Sequence, residues 1–220
     1  MNIIVVGSKA QADLIKSKVK EEHTILFAGF VSESHLEKAN VVFDFTTDDH
    51  QEALEQYANY PEIVVFLNSV TTSLAEQAVY QSELGCKLFG FNGHPTFIER
   101  DLLEVTIYNV AEKDYLDTII GELGLAMEVV DDRVGMVTPR IIAMIINEAF
   151  YTVMEGTATK EDIDLGMKLG TNYPMGPFEW ATKWGIINVY EVLDALFEDT
   201  KDERYKICPL LKKEYLKAMV

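Results

Sequence analysis

The stretch that decides the fold is N-terminal: Ile3-Ile4-Val5-Val6-Gly7-Ser8-Lys9-Ala10-Gln11-Ala12. It begins with four consecutive apolar residues, typical of a strand buried on both faces, and then turns at a glycine. Beyond the turn, Leu14, Ile15 and Val19 recur at the spacing of an amphipathic helix. The stretch therefore predicts a strand, a tight turn and a helix in direct succession.

Similar apolar runs recur along the first part of the chain, and helical segments separate most of them. Repeated strand–helix units predict an α/β fold, here a Rossmann-like, doubly wound parallel sheet with helices on both faces. The predicted strands are Ile3–Val6, Thr24–Phe27, Val41–Phe45, Ile63–Leu67, Lys87–Phe91, Leu103–Tyr108 and Met127–Val130. The predicted helices between the later strands are His50–Tyr60, Ser73–Leu84 and Ala111–Leu123.

The pattern changes near residue 131, and from Val134 onward the sequence predicts helices alone. The helix over 141–153 is apolar around most of its circumference, which favours burial in a core or an interface. Gly156 is expected to end this helix, Thr159 to cap the next one and Gly170 to end that one. We therefore predict two domains: a shortened Rossmann-like domain over 1–131 and an all-helical domain over 132–220.

Composition and charge argue against several classes of function. The 220 residues include 19 basic and 36 acidic side chains, and the resulting net charge of −17 repels nucleic acids and anionic membranes. Two cysteines, Cys86 and Cys208, do not make a disulfide framework and are typical of a reducing compartment. The four scattered histidines argue against a metal site. Without a signal-peptide pattern or a membrane-spanning apolar run, a cytoplasmic protein is expected.

Seven short segments stand out between residues 132 and 216: Asp132–Val137, Asn147–Ala149, Thr159–Asp164, Met167–Gly170, Tyr173–Glu179, Asp202–Tyr205 and Pro209–Lys213. Together these segments resemble the C-terminal domain of 3-hydroxyacyl-CoA dehydrogenases, and the combination is far more specific than any one of them. The resemblance implies oxidation of (3S)-3-hydroxyacyl-CoA to 3-ketoacyl-CoA in fatty-acid metabolism. It also implies a Rossmann domain of the NAD-binding type over 1–131, and a helical domain that dimerises and closes over acyl-CoA.

The cofactor turn matches the family only in part. A dinucleotide-binding turn follows G-x-G-x-x-G because the backbone must approach the pyrophosphate at the helix N-terminus. Gly7 and Ala12 fit the first and third positions, but Lys9 replaces the second glycine and puts a side chain where the pyrophosphate would lie. The second strand ends at Ala28, without a carboxylate for the ribose hydroxyls. Two interpretations stay open: NAD bound with the Lys9 ammonium near phosphate, or a turn retained for packing, which we favour.

The resemblance also implies a catalytic pair in which a histidine base is held by a glutamate twelve residues later. An ungapped alignment places Glu104 at the carboxylate position and Asn92 at the histidine position. Asparagine takes up no proton near neutral pH, so the base is missing at that position. His94 lies two residues further on, and a shifted loop would bring it to Glu104. The alternative is an exposed loop histidine beside a turn-forming glycine and proline.

Other positions bear on the substrate that the resemblance implies. Thr72 keeps a hydroxyl where the family contacts its substrate, although Thr71, Thr72 or Ser73 is equally suited to capping the following helix. Pro139 replaces an asparagine before Arg140, and that polar contact is lost. Proline is tolerable there only in the first turn of a helix. Residues 29–40 are also too few for the helical hairpin that helps the family to hold coenzyme A.

These departures leave three hypotheses. We favour a 3-hydroxyacyl-CoA dehydrogenase-like protein with weak or no dehydrogenase turnover, because each departure removes a different part of the activity. One alternative is a compact, active NAD-dependent dehydrogenase in which His94 and Glu104 form the catalytic pair. The second alternative is a non-catalytic binding protein. For each we expect a homodimer formed through the helical domain, a possible acyl-CoA ligand and no nucleic-acid or membrane partner.

Overall fold

The computed structural model describes residues 1–47, 51–79, 81 and 84–220. Contacts divide the chain into two compact units, residues 1–93 with 97–136 and residues 94–96 with 137–220. The segment 132–136 thus groups with the first unit, whereas the boundary expected from the sequence lies after residue 131. The strands of the first unit are β1 (Asn2–Val6), β2 (Thr24–Ala28), β3 (Val41–Asp44), β4 (Val64–Asn68), β5 (Lys87–Phe91), β6 (Leu102–Ile107) and β7 (Ala126–Val129).

The strands described form one sheet in the order β2-β1-β3-β4-β5-β6-β7. Every neighbouring pair is parallel except β5 and β6, which are antiparallel. The prediction of a doubly wound, mostly parallel sheet is confirmed, and the prediction that all its strands are parallel is wrong at this one pair. A parallel return needs a crossover of about a dozen residues or more, usually a helix, and residues 92–101 contain none.

The helices of the first unit are α1 (Lys9–Lys18), α2 (Glu33–Leu36), α3 (Leu74–Ala78) and α4 (Lys113–Leu123). Short 3₁₀ helices cover Gln51–Gln56 and Val110–Glu112. The helix predicted to start at His50 is therefore 3₁₀ over its described part, and His50 itself lies outside the described residues. The helix predicted from Ser73 to Leu84 ends at Ala78, and residues 80, 82 and 83 of that prediction lie outside the described residues.

The core of this unit lies on both faces of the sheet. On one face, the Phe43 and Phe66 rings stack with their centroids 4.8 Å apart, and Phe89 and Phe91 extend the cluster. On the other face, Val42 and its neighbours on β1, β4 and β5 form a second cluster. Burial on both faces is what the uninterrupted apolar runs predicted. It also fixes the sheet rigidly beneath the residues at its carboxyl edge.

The second unit is helical, as predicted. Its helices are α5 (Thr138–Met154), α6 (Lys160–Thr171), α7 (Pro177–Trp184), α8 (Ile186–Thr200) and α9 (Pro209–Ala218), with a 3₁₀ helix over Glu203–Tyr205. The Thr159 hydroxyl accepts a hydrogen bond from the Asp162 N–H at 3.2 Å, which confirms the predicted cap. Gly170 does not end α6, because the helix continues to Thr171 and Asn172 takes the left-handed cap conformation. Ile141, expected to be buried, is exposed.

Two general features complete the description. Among the described residues, no helix has the length and apolarity needed to cross a bilayer. Both cysteines are buried and free, and burial raises the pKa of the Cys86 thiol to about 11. The Cys86 thiol is therefore protonated near neutral pH and is a poor nucleophile.

Candidate ligand-binding edge of the sheet

The first βα turn lies at a topological switch point of the sheet. β1 has β2 on one side and β3 on the other, so the connections from their carboxyl ends diverge. In open α/β sheets, ligands bind in the crevice outside such a point. Gly7 ends β1 with φ +144°, a conformation that favours glycine, and its N–H donates to the Ala28 carbonyl at 3.1 Å. The backbone of the turn therefore has the conformation that a tight strand-to-helix connection requires.

The donors of this turn are already used by the chain itself. The Gln11 side-chain oxygen accepts from the Ser8 N–H at 2.7 Å and from the Ser8 hydroxyl at 2.9 Å. The Gln11 N–H in turn donates to the Ser8 hydroxyl at 3.3 Å. This reciprocal pair is a capping box that gives the Ser8 and Gln11 N–H groups acceptors within the chain. The space above Gly7 is also taken, because a Cβ there would lie 2.5 Å from Gln11 Oε1.

Lys9 forms an ion pair along its own helix, and its role toward a cofactor stays a prediction. Its ammonium donates to the Asp13 carboxylate at 2.9 Å, and both side chains are exposed. Exposed pairs one helical turn apart contribute little to stability, so the pair holds the lysine only loosely. Gln11 is thus hydrogen-bonded to the Ser8 N–H, and Lys9 is paired along its own helix.

Neither neighbouring strand supplies a carboxylate for a ribose. β2 ends at Ala28, and Gly29 follows. Asp44 ends β3 but is fully buried, and its carboxylate accepts hydrogen bonds from the Thr46 N–H at 2.8 Å, the Thr46 hydroxyl at 2.7 Å and the Tyr57 hydroxyl at 2.7 Å. Burial and the nearby Asp44 carboxylate raise the pKa of Tyr57. Asp44 therefore organises the interior and is not presented to a ligand.

A different arrangement follows β4 and β5, where buried polar side chains gather. The Asn68 side-chain oxygen accepts from the Gly93 N–H at 2.9 Å, which joins the carboxyl ends of the two strands. The Asn68 carbonyl accepts from the Thr47 hydroxyl at 2.9 Å and from the Gln77 amide at 3.3 Å. All of these side chains are buried. Burying these polar groups costs free energy, and their hydrogen bonds hold the carboxyl ends of β4 and β5 in one arrangement.

Gly90 lies at the centre of this polar edge. A Cβ there would lie 2.2 Å from the Ser69 hydroxyl oxygen and 2.4 Å from the Thr106 hydroxyl oxygen, so only glycine fits between them. Both hydroxyls are buried and have no hydrogen-bond partner in the part of the chain that the structure describes. Buried hydroxyls are usually paired, and an orphaned pair over a glycine is a feature of sites rather than of cores.

The segment that follows β4 caps α3. Ser73 is the cap residue, since its hydroxyl accepts from the Glu76 N–H at 3.2 Å. The Asp132 carboxylate accepts from the Leu74 and Ala75 N–H groups at 2.8 and 3.0 Å. Thr72, the residue expected to contact substrate, is buried, and its carbonyl accepts from the Gln77 amide at 3.2 Å. Because Ser73 caps α3, the Thr72 hydroxyl is not the capping group.

The antiparallel pairing of β5 with β6 brings the predicted catalytic positions together. Phe91 pairs with Val105, so Asn92 lies opposite Glu104, and the Asn92 N–H donates to the Glu104 carbonyl at 3.0 Å. Residues directly opposite in such a pair project to the same face of the sheet. The positions of base and carboxylate are thus adjacent, but an amide stands where a base is required.

His94 is buried, only 6% exposed, which corrects the interpretation of an exposed loop histidine. Its Nδ1 accepts a hydrogen bond from the Trp184 indole N–H at 3.1 Å. Thr96 follows with φ +70°, an uncommon conformation for a β-branched residue. The pairing of His94 with Glu104 remains a prediction. Pro139 is buried in the first turn of α5, where a proline costs the helix no hydrogen bond.

A family model for the 3-hydroxyacyl-CoA dehydrogenase C-terminal domain matches residues 135–218. Residues 135–218 therefore form a domain of the 3-hydroxyacyl-CoA dehydrogenase C-terminal type. A 3-hydroxybutyryl-CoA dehydrogenase from Bradyrhizobium diazoefficiens is 39% identical over 99 residues, which cover 45% of this chain and 33% of that protein. The matched part of the chain thus spans a third of the length of that relative.

The remainder of the chain is similar to the dehydrogenases mainly in fold. A Mycobacterium tuberculosis 3-hydroxybutyryl-CoA dehydrogenase is 27% identical over 221 residues, covering 88% of this chain and 76% of that protein. The crystal structure of (S)-3-hydroxybutyryl-CoA dehydrogenase PaaH1 from Ralstonia eutropha has a TM-score of 0.76 at 20% identity, covering 99% of this chain and 94% of that one. The dehydrogenase fold therefore extends over both units.

Sequence reasoning missed three contacts between residues far apart in the sequence. Asn68 immediately precedes the segment that was considered, and only the structure shows its bond to Gly93. Asp132 was noted as part of a motif, but its role at the start of α3 depends on a contact 58 residues away in sequence. The hydrogen bond from Trp184 to His94 spans 90 residues. No local pattern signals contacts of this range.

Proposed function

We propose that this member of the 3-hydroxyacyl-CoA dehydrogenase family binds an acyl-CoA-type ligand but oxidises 3-hydroxyacyl-CoA with NAD weakly or not at all. The observation that carries the proposal is the Ser8–Gln11 capping box, which occupies two of the backbone donors at the start of α1, where a pyrophosphate binds in dinucleotide-binding turns. The second support is Asn92, an amide at the position of the base, opposite Glu104. The relationship to dehydrogenases supports NAD as the ligand class to test first.

The acyl-CoA part of the proposal has separate support. Asn68, Ser69, Thr72 and Thr106 are polar, buried and gathered at the carboxyl edge of β4 and β5. Polar side chains at such an edge are usual in ligand sites of α/β proteins. The named activities of the relatives, on 3-hydroxybutyryl-CoA, make a short acyl-CoA the first candidate.

The experiment that tests the cofactor part is a titration of the purified protein with NADH, followed by fluorescence and thermal shift. We expect no binding at millimolar NADH for the unmodified protein. The double variant Lys9→Gly, Gln11→Ala restores a small residue at the second position of the turn and frees the Ser8 N–H. We expect this variant to bind NADH at least about tenfold more tightly, because freed backbone donors at a helix N-terminus are the usual pyrophosphate contacts.

Ser8→Ala is the matched control for this titration. It removes the Ser8 hydroxyl from the same capping box but leaves the Gln11 oxygen on the Ser8 N–H. Its affinity for NADH is expected to equal that of the unmodified protein. Micromolar binding by the unmodified protein would contradict the proposal and show that the turn rearranges around the cofactor.

Turnover is tested separately with acetoacetyl-CoA and NADH, using His94→Ala as the comparison. We expect no appreciable reduction above background for either protein. Turnover that is abolished in His94→Ala would support the alternative function, a compact dehydrogenase in which His94 and Glu104 form the catalytic pair. Calorimetric titration with acetoacetyl-CoA alone tests the ligand, and absence of binding would favour the non-catalytic interaction protein.

We also propose that the helical unit forms a homodimer. A groove of about 650 Å³ runs between α5 and α6 and is lined by apolar side chains that include Met144, Ile145, Ile163 and Met167. Leu169 on α6 is a large apolar residue that is 78% exposed. A second copy of the same helices would cover this surface with a matching one, as two-fold interfaces do.

Sedimentation analysis tests the dimer. Leu169→Glu is expected to weaken the dimer at least about tenfold, because it places a charge in an apolar contact. Val110→Glu is the control, since Val110 is 79% exposed and lies in the first unit. A monomeric unmodified protein at micromolar concentration would contradict this proposal.

A further inference from the structure

We propose that the open edge of the sheet at β2 is an interface between two copies of this chain. In this contact, β2 of each copy pairs antiparallel with β2 of the other, and the two Leu26 residues face each other at the two-fold axis. The contact involves the first unit alone and needs neither NAD nor acyl-CoA. It is therefore separate from the proposed ligand and from the proposed dimer of the helical unit.

β2 is an edge strand, and its outer side carries backbone groups for a further strand. Among the described strands, β1 is its only neighbour. The Thr24 N–H donates to the Met1 carbonyl at 2.9 Å, so Thr24 directs its backbone groups toward β1. In a parallel pair alternate residues bond to the same neighbour, and Leu26 therefore also faces β1. Ile25 and Phe27 direct their N–H and C=O groups outward.

The side chains along this edge are apolar and exposed. Leu26 is 46% exposed, Phe27 is 40% exposed, and Phe30, just beyond the strand, is 78% exposed. The sequence over 23–32 contains no proline and no Asp, Glu, Lys or Arg. Sheet edges usually carry charges, prolines or bulges that prevent pairing with another chain. An edge without these features is a template on which a further strand can add.

The strand at the other end of the sheet provides an internal contrast. β7 carries an exposed carboxylate, Glu128, within the strand, and the exposed Asp131 follows shortly after it. Its larger apolar residues, Met127 and Val129, are half-buried. Charges of this kind protect an edge against pairing. The apolar exposure at β2 is therefore a property of that edge and not of the sheet in general.

A second copy of the same strand satisfies this edge in one register. Residues whose backbone groups face each other in an antiparallel pair exchange both N–H···O bonds. With the two Leu26 residues opposite each other, Ile25 of each copy lies opposite Phe27 of the other, and the outward groups of both are paired. Registers centred on Ile25 or Phe27 instead set one of them opposite a residue outside β2. The contact is thus self-complementary, as two-fold interfaces are.

The antiparallel arrangement also separates the charges nearest to the edge. Glu21 and Glu22 precede β2 and are exposed. In the register centred on Leu26, the Glu22 residues of the two copies lie about 26 Å apart along the strands. Repulsion between exposed charges is screened over about 8 Å at physiological ionic strength. These carboxylates therefore oppose the contact only weakly, although each chain carries a net charge of −17.

The first test is cysteine cross-linking, which also reports the register and traps a weak dimer. Opposite residues of a non-hydrogen-bonded antiparallel pair have Cα atoms about 4.5 Å apart, a distance that a disulfide spans. We therefore expect Leu26→Cys to form a covalent dimer under mild oxidation by oxidised glutathione, seen on a non-reducing gel. Both native cysteines, Cys86 and Cys208, are buried, so the unmodified protein under the same oxidant is the reference.

Two matched variants control this experiment. In the same register the two Phe27 residues lie diagonally, with Cα atoms more than about 7 Å apart, so Phe27→Cys is too far from its own copy for a disulfide. Glu128→Cys, on the opposite edge strand, measures random collision. We expect at least about tenfold less covalent dimer from either variant than from Leu26→Cys. No covalent dimer from Leu26→Cys, or equal yields from all three, would overturn the proposed contact.

The second test is sedimentation analysis in the Leu169→Glu background, which weakens the separate dimer proposed for the helical unit. One short strand from each copy makes a small interface, so the measurement is made at about 50 µM, where we expect dimer to persist. Adding Leu26→Lys places a charge on the edge and should weaken this dimer at least about tenfold. Adding Leu102→Lys is the control, because Leu102 is similarly exposed, at 50%, but lies on an inner strand.

A monomeric Leu169→Glu protein at this concentration would overturn the proposed contact, and the helical unit alone would then account for any dimer of the unmodified protein. Equal weakening by Leu26→Lys and Leu102→Lys would also overturn it, because the effect would not be specific to the edge. Both tests are made without cofactor or substrate. Their outcome is therefore independent of the NADH and acetoacetyl-CoA titrations.

Discussion

The two ends of the sheet's carboxyl edge differ in what their polar groups do. At the β1 end, the Ser8 and Gln11 groups bond to each other, and the buried Asp44 bonds to Thr46 and Tyr57. At the β4 and β5 end, the buried Ser69 and Thr106 hydroxyls lie over Gly90 with no partner among the described residues. At the β1 end these polar groups bond to one another, whereas at the β4 and β5 end these two hydroxyls have no hydrogen-bond partner among the described residues.

The difference shows that a shared fold does not preserve every site on it. A βα turn folds well with a capping box in place of a ligand, because the N–H groups need an acceptor and Gln11 supplies one. Orphaned hydroxyls, in contrast, contribute nothing to stability. The Ser69 and Thr106 hydroxyls are of this kind, whereas the Ser8 and Gln11 groups are paired.

The largest effect is expected at Gly90. Gly90→Ala places a methyl group against two buried hydroxyls, so we expect the free energy of unfolding to fall by about 3 kcal/mol. Urea denaturation measures this change. Gly29→Ala is the control, because a Cβ there meets open space. The double variant Gly90→Ala, Ser69→Ala should recover part of the loss. A loss below about 1 kcal/mol for Gly90→Ala would mean that this end of the edge is loosely packed.

Asn68 is expected to come next. Asn68→Ala leaves the Gly93 N–H buried and without its acceptor, and we expect a loss of about 2 kcal/mol in the same assay. Asn109→Ala is the matched control, since the Asn109 side chain caps an exposed turn through the Ala111 N–H. Equal losses for the two variants would show that the polar end of the edge is no more tightly organised than a surface turn.

The third prediction concerns Tyr57 at the β1 end of the carboxyl edge. Tyr57→Phe removes a hydrogen bond to a buried carboxylate, and we expect a loss of about 2 kcal/mol at neutral pH. The raised pKa of Tyr57 keeps its phenol protonated in the folded protein where an unfolded tyrosine ionises. Its contribution is therefore complete below about pH 10 and is lost as the pH rises further.

Denaturation of both proteins from pH 7 to 11 checks this pH dependence. The stability of the unmodified protein should fall more steeply at the alkaline end than that of Tyr57→Phe, so that the two curves converge. Parallel curves would indicate that Tyr57 ionises at its ordinary pKa and that the interior around Asp44 is open to water.

The smallest effect is expected at the capping box. Gln11→Ala leaves the Ser8 N–H to water on an exposed helix end, and we expect a loss of about 0.5 kcal/mol. Lys16→Ala on the same helix is the control and should change stability by less. A loss of 2 kcal/mol or more would mean that the box supports the whole β1 end and is not a local feature.

Much of the fold was predictable because it depends on local patterns. Continuous apolar runs placed the strands within a residue or two, and hydroxyl residues before helices located the cap at Thr159. The reversal of β6 was not predicted, since no residue within the strand encodes its direction. The end of α6 was predicted at Gly170 but is capped by Asn172, because asparagine also tolerates the left-handed conformation that ends a helix.

Positions in the candidate site could be predicted from the resemblance, whereas their contacts could not. Lys9, Ala28 and Asn92 were identified by comparison with the family's sequence patterns, and β5 and β6 pair so that Asn92 lies opposite Glu104. The capping box was missed although both residues lie in the opening stretch, because Gln11 was considered only as a spacer. The contact of His94 with Trp184 spans 90 residues and has no signature in the sequence around either one.

The Ser8–Gln11 pair has a consequence for the protein before it meets any ligand. A protein whose binding loop needs its ligand gains stability as the ligand concentration rises, and its folded population then follows the nutritional state of the cell. Here the first helix begins on bonds that the chain makes with itself. We therefore expect the first helix to form whether or not a ligand is present.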